Sequence, residues 1–127
     1  MITLNKDQIK RLHTMQIDAT GGLDGIRDEA MLDSALSSAF QTFGGVDLFP
    51  SNEAKIARIA YGLVSNHPFI DGNKRIGTYA MLVLLELNGI EIDFTDDDII
   101  RIGLEMASGK MTDTQLLDMI LEHLRDV

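Results

Sequence analysis

The chain has 127 residues, 45% of them hydrophobic, which is enough for one packed core and predicts a single domain over 1–127. It has no cysteine, so disulfides, thiolate zinc sites and thiol nucleophiles are excluded. Twenty acidic against eleven basic residues give a net charge of −9, and an extended DNA- or RNA-binding surface is not expected. The opening Met1-Ile2-Thr3-Leu4-Asn5-Lys6-Asp7 turns polar too soon for a signal peptide, and no apolar run approaches membrane-spanning length. The expectation is a cytoplasmic protein with no membrane attachment.

Helical periodicity runs through nearly all of the chain. Asn5 and Gln8 form a capping pair ahead of an amphipathic stretch carrying Ile9, Leu12, His13 and Gln16-Ile17. Gly21, Gly22 and Gly25 then mark a turn. A second helix is predicted from about Asp28, with Met31, Leu32, Ala35, Leu36, Ala39 and Phe40 at helical spacing. Residues 44–50 read as a loop, and Ser51 or Asn52 caps a third helix lined by Ile56, Ile59, Ala60, Leu63 and Val64. Pro68 breaks the pattern and pushes His67 out of helical dihedrals.

A fourth helix is predicted from about Asn73 to Leu87, stopped by Asn88-Gly89. Its stretch Tyr79 to Leu87 is apolar nearly all round, which predicts the central buried helix. Ile90 to Phe94 alternates like a short strand. Thr95 caps a fifth helix whose first turn, Asp96-Asp97-Asp98, suits the helix dipole, and Ser108-Gly109 closes it. Thr112 and Gln115 make a capping box for a last helix ending near Arg125. The predicted architecture is all-α, a single compact bundle of about six helices.

The chemistry is concentrated between the third and fourth helices, in His67-Pro68-Phe69-Ile70-Asp71-Gly72-Asn73-Lys74-Arg75. His67 can take a proton near neutral pH, as a general base for a hydroxyl must. Asp71 offers a hard oxygen ligand of the kind that holds magnesium beside a nucleotide. Gly72 permits close backbone approach, and Asn73 to Arg75 form a first helical turn whose free amides attract an anion. Lys74 and Arg75 add two charges, Arg being able to grip phosphate through two hydrogen bonds. The plainer reading is a helix stop at His-Pro followed by ordinary Gly-Asn turn chemistry. Two cations in a first helical turn oppose the dipole, however, unless an anion binds there.

The segment resembles the signature loop of the Fic/Doc family, His-Pro-Phe-x-(Asp/Glu)-Gly-Asn-(Gly/Lys)-Arg, and matches it at every specified position. Thr42 to Pro50 and Leu82 to Ile90 are similar to flanking parts of the death-on-curing (Doc) branch. The resemblance implies a Fic/Doc-like fold in which His67 is the base, Phe69 packs inward and Asp71 holds Mg2+. It implies that Gly72, Asn73 and Lys74 make an anion hole and that Arg75 holds a distal phosphate. It also implies that apolar residues such as Leu48-Phe49-Pro50, beside the motif, dock a target segment; plain packing explains them equally well.

Lys74 separates two chemistries within the family. Members that attach AMP usually carry Gly there, while Doc toxins carry Lys. The resemblance therefore implies ATP as phosphoryl donor, its γ-phosphoryl group passing to a protein hydroxyl. The implied target is a threonine of translation elongation factor Tu, with translational arrest as the result. AMP transfer to a protein and a catalytically idle binding module are the alternatives. Many Fic proteins restrain themselves through a helix bearing (Ser/Thr)-x-x-x-Glu-(Gly/Asn). None of Glu29, Glu53, Glu86, Glu91, Glu105 and Glu122 precedes Gly or Asn, so a Phd-like antitoxin acting in trans is expected.

Other patterns are decoys. Gly103 to Lys110 has the wrong spacing for a phosphate loop, Met111 stands where Ser or Thr belongs, and no strand precedes it. Asp93 to Asp98 lacks the glycine and closing glutamate of a calcium loop. His13 and His123 lie in amphipathic helices with no partner that the sequence identifies.

Overall fold

The structure, a computed structural model, describes residues 1–125. Six α-helices follow in order: α1 Lys6–Thr20, α2 Glu29–Ser37, α3 Asn52–Ser65, α4 Asn73–Leu87, α5 Asp96–Ala107 and α6 Asp113–Glu122. The all-α bundle expected from periodicity is the observed one. Five of the six helices begin on side-chain caps. Asn5 on α1, Thr95 on α5 and Thr112 on α6 form complete capping boxes, and Asp28 and Ser51 cap α2 and α3.

Several boundaries differ from expectation. The stretch predicted to prolong the second helix tightens into a 3-10 turn, Ser38–Phe40. Part of the following loop is a minimal antiparallel hairpin, β1 Thr42–Phe43 against β2 Val46–Asp47. Gly44 and Gly45 turn it with φ of 59° and 79°, the doubly positive backbone that a tight hairpin requires. The stretch 90–94 is not a strand. Ile92 makes one isolated bridge with Leu124, flanked by Asp93 N–H to His123 O at 2.8 Å and Arg125 N–H to Glu91 O at 3.0 Å. Those bonds draw the chain after α6 into extended pairing, so α6 ends at Glu122 and not near Arg125.

The central helix is α3, not α4. α3 packs on α2, α4, α5, α6 and the 3-10 turn. Ala54, Ile56, Ala57, Ile59, Ala60, Gly62, Leu63 and Val64 are all buried. Small residues let neighbours approach on several sides, whereas α4 leaves Tyr79 and Leu87 exposed despite its apolar run. α4 sits between α1, α3 and α5, with Ile76, Ala80, Met81, Leu84 and Leu85 inward.

Gly77 is where α4 meets α3 most closely. A Cβ there would lie 2.4 Å from Val64 Cγ2 and 3.2 Å from the Ala60 carbonyl. Val64 is branched and fully buried, so it cannot swing away. Gly77→Ala should therefore destabilise the fold by about 1–3 kcal/mol of overpacking, offset by roughly 1 kcal/mol of helix propensity. Urea denaturation reads the difference, and a midpoint at or above that of the parent would contradict this packing.

Candidate active site

The segment His67 to Arg75 leaves α3, crosses the end of the bundle and enters α4. Pro68 and Phe69 are buried, while His67 and Ile70 are exposed. The α1–α2 connection clasps this loop. Arg27 and Asp28 N–H both donate to Pro68 O, at 2.8 and 3.1 Å, and Ile70 N–H donates to Gly25 O at 3.1 Å. Ile26 and Phe69 form an antiparallel bridge between the two segments. The loop's backbone groups are thus satisfied by a second loop.

His67 is the single non-glycine residue with positive φ, 47°, among the described residues. The expectation that Pro68 forces it out of the helix holds, but it adopts left-handed backbone rather than extended. Such a conformation costs about 1–3 kcal/mol and persists only where its surroundings over-determine it. Here Arg27 Nε donates to His67 O at 2.5 Å and its Nη2 to Asn66 O at 2.9 Å. The His67 ring points to solvent, with Nδ1 3.5 Å from Asn73 Nδ2. That contact is too long to fix a tautomer.

Asn73 plays a structural part. Its Oδ1 accepts from Phe69 N–H and its Nδ2 donates to Phe69 O, both at 3.0 Å. Phe69 is thereby pinned, and its ring stacks on His13 with centroids 3.8 Å apart and planes 10° from parallel. His13, only 1% exposed, places Nε2 2.6 Å from Asp71 O. A carbonyl can only accept, so Nε2 carries the proton and donates. His13 Nδ1 comes 3.3 Å from Asp24 Oδ1 without hydrogen-bond alignment.

Asp71 and Arg75 meet at the start of α4, 4.0 Å apart. Asp71 Oδ2 accepts from Leu23 N–H at 3.2 Å and Oδ1 from Gly72 N–H at 2.8 Å. The amides of Leu23 and Gly72, with smaller help from the Arg75 guanidinium, hold the Asp71 carboxyl below the usual aspartate range. Each oxygen keeps lone pairs free and the side chain is about half exposed, 46%, so Asp71 fits a single hard-cation ligand. Among the described residues no three His, Asp or Glu side chains gather at a metal site, so any such ion would take its other ligands elsewhere.

Gly22 faces this carboxylate. A Cβ there would lie 2.6 Å from Asp71 Oδ2, and the residue's φ is 116°. Arg75 Nη1 donates to Thr20 Oγ1 and, at 3.1 Å, to Gly21 O, at the C-terminal end of α1. Gly72, the N-cap of α4, is left-handed with φ 78°, and α4 alone among the six helices receives no side-chain cap. Its first amides remain available to an anion. Lys74 is exposed and, with Arg75, Thr78, Ile99, Ile100, Gly103 and Leu104, lines a groove of about 220 Å³ between α4 and α5.

The structure thus groups Asp71, Gly72 and Arg75 at one helix start, sets Lys74 beside Arg75 in the groove, and leaves the exposed His67 with Asn73 as its side-chain neighbour. Sequence reasoning missed Arg27, His13 and Gly22. Three glycines in five residues, more than a turn needs, were the available signal for the last. The decoys are resolved as ordinary structure: Gly103 to Lys110 is the end of α5, and Thr95 with Asp98 is its capping box.

The model of the Fic/DOC family matches residues 3–85, and the chain belongs to this family. A similar curated protein is Toxin Doc of Mycolicibacterium smegmatis (strain ATCC 700084 / mc(2)155). It is 37% identical over 81 residues, 62% of this chain and 62% of that protein's length. Among the described residues no helix is long and apolar enough to cross a membrane.

The amide hydrogen bonds to Asp71 set a pH expectation. A lowered folded-state pKa means that the stabilisation is complete above the unfolded value and is lost as pH falls through the folded one, below the ordinary aspartate range. Carbon-detected NMR of the Asp71 carboxyl should give a midpoint below that of an ordinary aspartate. Arg75→Ala should raise it only slightly, because the larger cause, the Leu23 amide, remains. A midpoint at the ordinary aspartate value would mean that the loop clasp is not held in solution.

Proposed function

We propose that this protein is the toxin of a toxin–antitoxin pair, transferring the γ-phosphoryl group of ATP to a protein hydroxyl. The proposed target is a threonine of translation elongation factor Tu, with arrest of translation as the effect. Family membership and likeness to a protein named Toxin Doc support the toxin reading. The observation that carries the chemistry is the uncapped start of α4, where left-handed Gly72, the Asp71 carboxylate and the Arg75 guanidinium lie together.

In this reading the phosphates lie against the first amides of α4, with Arg75 releasing Thr20 and Gly21 to grip them. Asp71 would hold Mg2+, which when bound supplies charge neutralisation on the phosphate oxygens. His67 takes the proton of the target hydroxyl as that oxygen bonds to the γ-phosphorus. The bond from the γ-phosphorus to the bridging oxygen breaks, and ADP leaves. Little covalent work falls to the protein, so the rate rests on positioning and electrostatics. Lys74, beside Arg75 in the α4–α5 groove, brings a second cation where a glycine would leave open backbone. A Phd-like antitoxin acting in trans is the proposed restraint.

Incubation with elongation factor Tu and ATP labelled at the γ or α position tests the reaction. Label from γ on the target supports phosphoryl transfer; label from α alone replaces it with AMP transfer, and neither label overturns both. His67→Ala should lower transfer by about 10²–10⁴-fold with the fold intact. Lys74→Gly should divert product toward nucleotidylation, and a mutant still transferring only the γ-phosphoryl group at the parental rate would remove Lys74 as the determinant.

A further inference from the structure

We propose that Arg27 is a positioning residue that holds His67 in its left-handed conformation and so aims the imidazole; the catalytic part of this claim rests on the reading of His67 as the base. Two observations converge. His67 carries the one positive non-glycine φ among the described residues, and it precedes Pro68, which favours extended backbone. The Arg27 fork closes on the two consecutive carbonyls that flank His67, Asn66 O in the peptide leading into it and His67 O in the peptide leading out.

The grip is directional. Nε and Nη2 of one planar guanidinium point in parallel, so the two carbonyls must face the same way to be bonded together. The Arg27 stem is itself anchored, because Arg27 and Asp28 N–H donate to Pro68 O on the other side of His67. Residues 66 to 68 therefore have all three carbonyls engaged by one short stretch of the α1–α2 connection. The backbone bonds survive replacement of Arg27 by Ala or Lys, but the fork does not. Without it, residue 67 is free to relax to extended backbone, carrying its ring away from Asn73 and the start of α4. Arg27 touches no reacting atom in this account, so its loss should appear in turnover rather than in nucleotide binding.

The test compares the full-length parent with Arg27→Ala and Arg27→Lys. Arg27→Ala should lower kcat for γ-label transfer about 100-fold, with the KM for MgATP unchanged, and millimolar guanidinium should restore part of the loss. Arg27→Lys should recover little, since a point charge cannot bond both carbonyls in fixed geometry. If Arg27→Ala does not fold, Arg27→Lys, which keeps stem and charge, carries the same comparison. Imidazole NMR supplies a reading independent of turnover: the His67 ring signals should shift in the variants while those of His13 and His123 stay in place. Unmoved His67 signals, parental kcat, or a loss confined to KM would each overturn the proposal. A parent that transfers no label would remove the catalytic claim for His67, and the NMR comparison would still decide whether Arg27 holds it.

Discussion

The candidate site depends on the backbone of residues 66–71 finding hydrogen-bond partners outside any helix. Between two packed helices a loop with buried Pro68 and Phe69 would leave carbonyls and amides without water. The α1–α2 connection supplies those partners through Gly25 O, the Arg27 and Asp28 amides and the Arg27 side chain. His13 completes the clasp from beneath, stacking on Phe69 and donating to Asp71 O. The left-handed His67, the half-exposed Asp71 and the uncapped start of α4 are all arranged by this pairing of two loops. Residues 13 to 28 thus belong to the site as much as residues 67 to 75 do.

The legible part of the fold was its local chemistry. Asn5 with Gln8, Thr95, and Thr112 with Gln115 announce helix starts through side chains that can only usefully bond nearby amides. The centre of the bundle was not legible in the same way. A long apolar run marks α4, but α3 wins the central place because Ala57, Ala60 and Gly62 let other helices come close. At Gly62 a Cβ would lie 2.9 Å from Ala35 Cα, so α2 rests directly on its backbone. Smallness, not hydrophobicity, decided the packing. The hairpin at 42–47 escaped for the opposite reason: its strands have two residues each and bury none of them, so no alternation exists to read.

In the candidate site, the nine-residue motif named the side chains to consider, and the structure shows which of them have structural partners. Asn73 spends its Oδ1 and one Nδ2 hydrogen on Phe69, so its side chain is tied to the loop while its backbone amide opens α4. Arg27 and His13 carry no local pattern. Their importance comes from contacts about 40 and 58 residues away in sequence, to His67 and Asp71, which only the tertiary fold creates.

Two helix ends of opposite polarity meet at this place. The C-terminal end of α1, with carbonyls and a partial negative charge, holds the Arg75 guanidinium through Thr20 and Gly21. The N-terminal end of α4, with amides and a partial positive charge, lies beside it without a cap. Lys74 and Arg75 would ordinarily be unfavourable at such a start. Asp71, the Thr20 hydroxyl and the Gly21 carbonyl offset that cost at Arg75, on a chain whose net charge is −9. The Thr20 hydroxyl and the Gly21 carbonyl thus hold the Arg75 guanidinium beside the uncapped amides of α4.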